Sequence, residues 1–270
     1  MSAAGLRRVL PAVALAVTSV LTLAPAPSAS AAEPDDYVAL GDSYSSGNGT
    51  FAPDANLFCY RSTRAYPELV ARARPDTRLT FAACQGATTD DIVETQRTSL
   101  SPDTDYVSLT IGGNDIGFAG LIASCLSGTD AACATAIEEA DRKVDRELPA
   151  KLDRAYAAVS AGAPNARAVV VLGYARFFGP DVSCPAAGGT SPDLAARLNR
   201  LTDDLDAAIR DRATAAGFTY RDSTAAFTGH DVCAAAPYLN GSSVSVADGW
   251  HPTRAGHADG LAPLVRQIVG

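Results

Sequence analysis

Short apolar segments alternate along this chain with amphipathic helical segments, and this alternation constrains the fold more than any other feature. Residues 106–111 are rich in β-branched side chains, which favour strands. Residues 168–174 form a continuous apolar run, which is typical of a parallel strand covered on both faces. Five strands are predicted, at residues 37–40, 78–82, 106–111, 168–174 and 219–221. The pattern predicts an α/β fold, a three-layer αβα sandwich.

The helical segments are recognised by proline placement, acidic first turns and apolar spacing. Within residues 131–160, for example, Ile137, Val144 and Leu148 recur at helical spacing with charges between them, so we expect one long helix there. Helices are predicted at residues 66–72, 89–96, 131–160 and 194–215, and after Pro252. Residues 180–191 and most of 224–246 are predicted to be loops.

A serine follows the first predicted strand directly. Apolar residues 38–40 run into Gly41, Asp42 and Ser43, so the Ser43 hydroxyl is expected at the carboxyl edge of the sheet. Open α/β sheets keep their ligand and reaction sites at that edge. Serine is also a common turn and N-cap residue, so this segment alone does not identify a nucleophile.

A serine nucleophile needs a base within hydrogen-bond reach, and neutral histidine serves best near pH 7. The candidates are His230, His251 and His257. His257 is expected inside the last helix in a packing role. His251 is favoured over His230, because Asp248 lies three residues before it and a turn would fold that carboxylate onto the imidazole Nδ1–H.

The oxyanion of an acyl-transfer reaction needs hydrogen-bond donors that point at the developing charge. The backbone N–H groups of Ser43 and Gly86 follow predicted strand ends, and Gly86 has no side chain to block a substrate. Asn114 offers a side-chain amide after the third strand. We therefore predict Ser43, Gly86 and Asn114 as the oxyanion hole.

The N-terminus has the layout of a secretory signal. Arg7 and Arg8 precede an apolar run that ends at Leu23, and Ala29-Ser30-Ala31 supplies a small-residue cleavage site. We predict a signal peptide over residues 1–31, and secretion to the extracellular space.

The remainder, residues 32–270, is expected to form one domain without a transmembrane segment and to act as a monomer. The sequence holds 30 acidic and 22 basic residues, a formal net charge of −8. Such a surface repels nucleic-acid phosphates, so no nucleic-acid partner is expected.

Six cysteines in an exported chain imply disulfides, although they can pair in fifteen ways and the sequence alone does not choose. They are Cys59, Cys84, Cys125, Cys133, Cys184 and Cys233. A zinc site is not predicted, because the chain contains neither C-x-x-C nor H-E-x-x-H.

Four ordered blocks together resemble the SGNH (GDSL) hydrolase superfamily, and within it the secreted bacterial lipase and esterase branch. They are Gly41-Asp42-Ser43-Tyr44-Ser45, Gln85-Gly86-Ala87-Thr88, Gly112-Gly113-Asn114-Asp115 and Asp248-Gly249-Trp250-His251-Pro252. The resemblance implies a flavodoxin-like parallel sheet of about five strands. Consecutive cysteine pairing, which we favour, also resembles the disulfide layout of that branch.

The resemblance further implies hydrolysis of carboxylic esters, of lipids or other acyl compounds, through an acyl-serine and without a metal or organic cofactor. In some relatives a backbone carbonyl orients the histidine, so both that arrangement and the Asp248 carboxylate stay open here. A carbohydrate deacetylase, a phospholipase and a thioesterase share the motifs, and an inactive binding protein is the alternative from another class. The α/β-hydrolase elbow G-x-S-x-G does not fit, since Ser45 occupies its last position.

Overall fold

Five parallel strands form the centre of the computed structural model, which describes residues 1, 4–5, 33–127, 130–242, 245 and 247–270. The strands are β1 (Asp35–Ala39), β2 (Thr77–Phe81), β3 (Tyr106–Leu109), β4 (Ala168–Leu172) and β5 (Thr219–Arg221). Their order across the sheet is β2-β1-β3-β4-β5. The five predicted strands and the parallel sheet are confirmed, with boundaries that differ by one or two residues.

The central strand β1 pairs with β2 on one side and β3 on the other. Val38 lies opposite Thr80 and Val107, and Val107 in turn lies opposite Val169. All four residues of β3 are buried, as are the last four of β4, because helices cover both faces of the sheet. The carboxyl ends of β1, β3 and β4 therefore open at the same edge.

Two helical layers enclose the sheet. One contains α2 and α9, which pack together, and the other contains α3, α6, α5 and α7, which pack in succession. The helices are α1 (Ser43–Ser46), α2 (Tyr66–Arg72), α3 (Thr89–Glu94), α4 (Phe118–Ser127), α5 (Asp130–Arg146), α6 (Leu148–Gly162), α7 (Pro192–Ala215), α8 (Ser223–Ala226) and α9 (Ala262–Val269). The α/β sandwich predicted from the sequence is thus confirmed. Within the described ranges, no helix combines the length and the apolar character that a bilayer span requires.

The prediction of a single helix over residues 131–160 is wrong. The chain forms two helices there, since α5 ends at Arg146 and α6 begins at Leu148 with Pro149 in its first turn. Proline fits a first turn but removes a hydrogen bond inside a helix. The sequence analysis also missed α4. The helix predicted after Pro252 includes a π-helical turn over Gly256–Leu261 that continues into α9.

The three disulfides join consecutive cysteines, as predicted: Cys59–Cys84, Cys125–Cys133 and Cys184–Cys233. The first joins the segment after α1 to the turn after β2. The third joins the loop before α7 to the loop after α8.

Residues 33–270 form one compact unit. Except for residues 1, 4 and 5, the predicted signal peptide lies outside the described residues, and so do its apolar run and the cleavage motif before Ala32.

Candidate active site

Ser43 is the first residue of α1, immediately beyond the carboxyl end of β1. Gly41 permits this exit: its φ is +118°, and a Cβ there would lie 2.5 Å from the Thr110 carbonyl oxygen. Asp42 caps α1, because its Oδ1 accepts a hydrogen bond from the Tyr44 N–H at 3.0 Å. The local sequence therefore forces a tight turn with the Ser43 hydroxyl at its tip.

The Ser43 hydroxyl meets the imidazole of His251, from the other end of the chain. The distance from Ser43 Oγ to His251 Nε2 is 2.8 Å, and the distance from His251 Nδ1 to the Gly249 carbonyl oxygen is 2.7 Å. A carbonyl oxygen only accepts, so Nδ1 carries the proton. Nε2 is then free to accept a proton from Ser43.

The Asp248 carboxylate does not contact the imidazole, which corrects the sequence-based expectation for this residue. Trp250 adopts a left-handed conformation with φ of +62°, and the turn places the Gly249 carbonyl on Nδ1 instead. The charge of Asp248 still favours the imidazolium form of His251.

The buried Asp248 carboxylate accepts four hydrogen bonds from the chain around it. Oδ1 accepts from the N–H groups of Gly49 at 2.9 Å and Phe51 at 3.1 Å. Oδ2 accepts from the hydroxyls of Tyr60 at 2.5 Å and Ser245 at 2.6 Å. These hydrogen bonds hold the pKa of Asp248 below its usual value against the opposing effect of burial. Asp248 thus fastens the segment after α1 to the turn that carries His251.

Gly86 and Asn114 line the same cavity as Ser43 and His251. Gly86 has φ of +77°, a conformation that glycine adopts without strain, and a Cβ built on it would meet nothing within 4 Å. The Asn114 side-chain amide donates to the Ala87 carbonyl at 2.8 Å, which leaves its second N–H for another acceptor. The turns after β2 and β3 are therefore joined beside Ser43.

The backbone N–H groups of Ser43 and Gly86 donate to no acceptor within the described part of the chain. Both belong to residues that border the cavity. The structure therefore brings together the three donors predicted from the sequence, two from the backbone and one from Asn114.

Two supporting residues were missed by the sequence analysis. The Tyr174 hydroxyl donates to Asp42 and accepts from the Gly113 N–H at 3.0 Å, so it joins the turns after β1 and β3. The Gln96 side chain accepts from the Gly41 N–H at 2.7 Å and donates to the Gly41 carbonyl at 2.9 Å. Tyr174 follows β4, and a polar residue at that strand end was the only signal in the sequence.

The other two histidines make no hydrogen bond to Ser43 within the described residues and have packing roles. His257 is buried, and its Nδ1 accepts from the Tyr66 N–H at 3.3 Å. His230 bonds the Ala236 carbonyl at 2.7 Å and stacks on Tyr238.

Burial determines the protonation of the two ionisable groups beneath the reaction site. It lowers the pKa of His251 to about 4, although the Gly249 carbonyl and Asp248 oppose the shift. Burial also raises the pKa of Asp42 to about 6, against the hydrogen bonds from Tyr174, Thr110 and Tyr44. The His251 imidazole is therefore neutral at pH 7.

The cavity beside Ser43 has a volume of about 410 Å³ and walls that are mainly apolar. Trp250 covers part of it, and α4 and α7 form two of its sides. Six of the apolar residues that line it are Leu121, Ile122, Phe177, Leu198, Leu201 and Leu205. Such a space accommodates an aliphatic chain whose polar end lies at Ser43.

Comparison with known proteins gives a family match over residues 39–258, to the GDSL-like lipase/acylhydrolase family. A lipase of Streptomyces rimosus is 41% identical over 267 residues, covering 97% of this chain and 98% of the relative. The crystal structure of phospholipase A1 from Streptomyces albidoflavus NA297 superposes with a TM-score of 0.82 at 39% identity, covering 87% of this chain and 99% of the other. An extracellular lipase from Streptomyces rimosus superposes equally well, at 41% identity with the same coverage.

Asp248→Ala is expected to destabilise the fold. The loss of stability should be larger than if the only role of Asp248 were to orient the imidazole. Each buried donor left without an acceptor costs about 1–3 kcal/mol, so two orphaned amides should lower the free energy of unfolding by at least about 2 kcal/mol. Denaturant unfolding measures this loss.

Tyr60→Phe is the matched control for Asp248→Ala, since it removes one of the four donors and leaves both amides paired; it should cost only about 1 kcal/mol. A fully stable Asp248→Ala protein would contradict the fastening role.

Proposed function

Because this chain belongs to the GDSL-like lipase/acylhydrolase family and is a carboxylic ester hydrolase of the lipase and esterase type, we propose that Ser43 is its nucleophile and His251 its general base. The observation that supports this assignment is the 2.8 Å contact between Ser43 Oγ and His251 Nε2, with Nδ1 held by the Gly249 carbonyl. The nucleophile, base and orienting group are therefore already within hydrogen-bond reach.

Acylation begins when His251 Nε2 takes the hydroxyl proton as Ser43 Oγ attacks the ester carbonyl carbon. The carbonyl π pair moves to oxygen, and the oxyanion accepts hydrogen bonds from the Ser43 and Gly86 N–H groups and from Asn114 Nδ2. The tetrahedral intermediate then collapses to an acyl-serine. The bond to the alcohol oxygen breaks, and that oxygen takes the proton from Nε2.

Deacylation repeats the sequence with water as the nucleophile. His251 Nε2 takes a proton from water, the hydroxide oxygen attacks the acyl carbon, and the same donors hold the oxyanion. The Ser43 Oγ–acyl bond breaks and Oγ recovers the proton, so the carboxylic acid leaves and the enzyme is unchanged.

The imidazolium formed in each step is stabilised by a carbonyl dipole and by the charge of Asp248, without a carboxylate on Nδ1. Asp248 acts in this proposal as a positioning residue for the turn that carries His251. Its role differs from that of the aspartate in a triad, which touches the imidazole directly.

The proposed substrates are esters of aliphatic acyl chains, and lipids among them. The apolar cavity of about 410 Å³ supports this choice over a carbohydrate deacetylase, whose acetyl group would leave such a space unfilled. Phospholipids and thioesters remain alternatives that differ in the alcohol or thiol part. One relative is itself titled a phospholipase A1.

Export from the cell is part of the proposal. It is supported by the signal-like N-terminus, by three disulfides and by a similar structure titled an extracellular lipase. Disulfides of this kind persist in oxidising compartments. A single domain over residues 32–270 and a monomeric state stay predictions.

Asn114→Ala is expected to lower kcat by about 10²–10³, the usual effect of removing one oxyanion donor. The KM for a soluble aryl ester should change little, because the donor acts on charge that develops after binding. Steady-state kinetics measure both. A protein that unfolds readily but keeps its kcat would assign Asn114 to the fold instead.

The pH dependence of kcat/KM should reflect the lowered pKa of His251. The base is neutral above its pKa, so a pKa of about 4 keeps the enzyme active at lower pH than an ordinary imidazole would. Between pH 7.5 and pH 5.5 we expect protonation of His251 to lower kcat/KM by less than about twofold, whereas an imidazole pKa of about 6.5 would leave roughly a tenth of the base neutral at pH 5.5. An acid limb near pH 6.5 would contradict the burial argument.

A series of soluble p-nitrophenyl esters from acetyl to octanoyl tests the acyl site. We expect the longer esters to be preferred and Ser43→Ala to abolish turnover of all of them. Thr202→Phe, which places a ring at the cavity wall, should reduce the octanoyl-to-acetyl ratio of kcat/KM by about tenfold, since each buried methylene contributes about 0.8 kcal/mol.

The control for Thr202→Phe is Thr214→Phe, at an exposed position of the same helix, α7. It should leave the chain-length ratio unchanged. A wild-type preference for acetyl esters, unaltered by Thr202→Phe, would favour the deacetylase alternative.

A further inference from the structure

Three large apolar side chains are exposed on the segment that follows α1. Phe51, Leu57 and Phe58 expose 53%, 76% and 86% of their surface. We call residues 51–58 the apolar loop. Single exposed apolar residues are ordinary on protein surfaces, but two aromatic rings and a leucine exposed on one short loop are typical of a surface that contacts other molecules, and we call these three side chains the patch.

The apolar loop is fastened to the catalytic turns at both ends. At its start, the Phe51 N–H donates to Asp248 Oδ1 at 3.1 Å, and Asp248 lies on the turn that carries His251. At its end, the Phe58 carbonyl accepts from Gln85 Nε2 at 3.0 Å, and Gln85 borders the cavity of Ser43. The patch is therefore held beside the cleft.

A disulfide at the end of the apolar loop and a strained residue at its start both indicate that the loop is held in one position. The Cys59–Cys84 disulfide follows Phe58 directly and ends at the turn before Gly86. Phe51 has φ of +53°, a left-handed conformation that is unfavourable for an aromatic residue. Such strain persists where surrounding contacts hold it, and it clusters at functional surfaces.

The one charged residue of the apolar loop is paired with a residue outside it, which limits the partners that the loop suits. Asp54 is its acidic residue, and its carboxylate accepts from the Thr63 N–H at 2.7 Å and pairs with Arg64 at 3.1 Å. The whole chain is acidic, with a formal net charge of −8, which disfavours an anionic membrane. An uncharged or zwitterionic lipid surface matches both the apolar side chains and the charge.

We propose that Phe51, Leu57 and Phe58 insert into the surface of an aggregated neutral or zwitterionic lipid and hold the cleft of Ser43 against it. This inference rests on the proposed function, because insertion helps the enzyme only if the lipid is its substrate. A lipid leaving the aggregate would then enter the cleft directly. The binding step itself needs no catalysis. It can therefore be tested in an inactive protein.

The first test measures insertion in Ser43→Ala, which leaves the lipid unconsumed. The native chain has one tryptophan, the buried Trp250, and the Ser43→Ala protein without a second tryptophan, titrated with the same vesicles, gives its emission as the background. Phe58→Trp adds a second at the patch. With phosphatidylcholine vesicles, we expect a blue shift of its emission and co-sedimentation with the lipid.

The matched control places the same reporter on the opposite edge of the sheet. Ala215 is exposed at the end of α7, which leads into the amino end of β5. Ala215→Trp in the same inactive protein should co-sediment equally but show no blue shift. A shift of equal size at both positions would overturn the proposal.

The second test removes the patch from the active enzyme with Leu57→Ser and Phe58→Ser together. Turnover of a soluble short-chain ester should stay within twofold, because neither side chain lines the cavity of Ser43. Vesicle binding and hydrolysis of emulsified lipid should each fall at least tenfold. If the wild type did not hydrolyse the soluble ester at all, the result would count against the proposed function and not against lipid insertion.

Two further outcomes would overturn the lipid assignment. Binding that requires phosphatidylglycerol and is unchanged in the double variant would assign attachment to charge elsewhere on the protein. A wild-type dimer in analytical ultracentrifugation that the double variant converts to a monomer would make the patch a contact between two copies of this chain.

Discussion

The buried Asp42 carboxylate holds the reaction site together, because it joins three strand exits at one point. It accepts from the Tyr44 N–H after β1, from the Thr110 hydroxyl after β3 and from the Tyr174 hydroxyl after β4. A buried carboxylate is costly unless each oxygen is paired, so these three turns are held in register by the need to satisfy it. The position of Ser43 depends on that register, since Ser43 is the residue directly after Asp42.

The imidazole of the proposed base is oriented by a backbone group instead of a carboxylate. His251 is oriented by the Gly249 carbonyl, two residues before it, through a turn in which Trp250 adopts a left-handed conformation. A carbonyl dipole fixes the tautomer without adding a second ionisable group at the imidazole. Asp248, which would otherwise serve there, satisfies two amides and two hydroxyls and so joins the apolar loop to the same turn.

The two carboxylates thus position different parts of the site. Asp42 positions the proposed nucleophile and the turns beneath it, and Asp248 positions the segment that flanks the cleft. Asp42 itself borders the cavity, and Asp248 accepts a hydrogen bond from Ser245, which also borders it. The apolar loop is bonded to Asp248 through the Phe51 N–H, and Asp42 borders the apolar cavity, an arrangement suited to a substrate that comes from a lipid phase.

The sequence by itself determined the alternation of strands and helices, predicted the consecutive pairing of the cysteines with support from the resemblance, and pointed to Ser43, Gly86, Asn114 and His251 as the proposed site residues. These follow from local chemistry, since strand ends, glycine turns and caps are encoded within a few residues. Only the tertiary structure decided that Gly249 and not Asp248 contacts the imidazole, that Tyr174 and Gln96 support the nucleophile turn, and that Phe51 and Phe58 are exposed beside the cleft. Each of these depends on contacts between residues distant in the chain or on the conformation of a single turn. Spacing along the sequence limits which groups are able to meet, but packing selects which of them do.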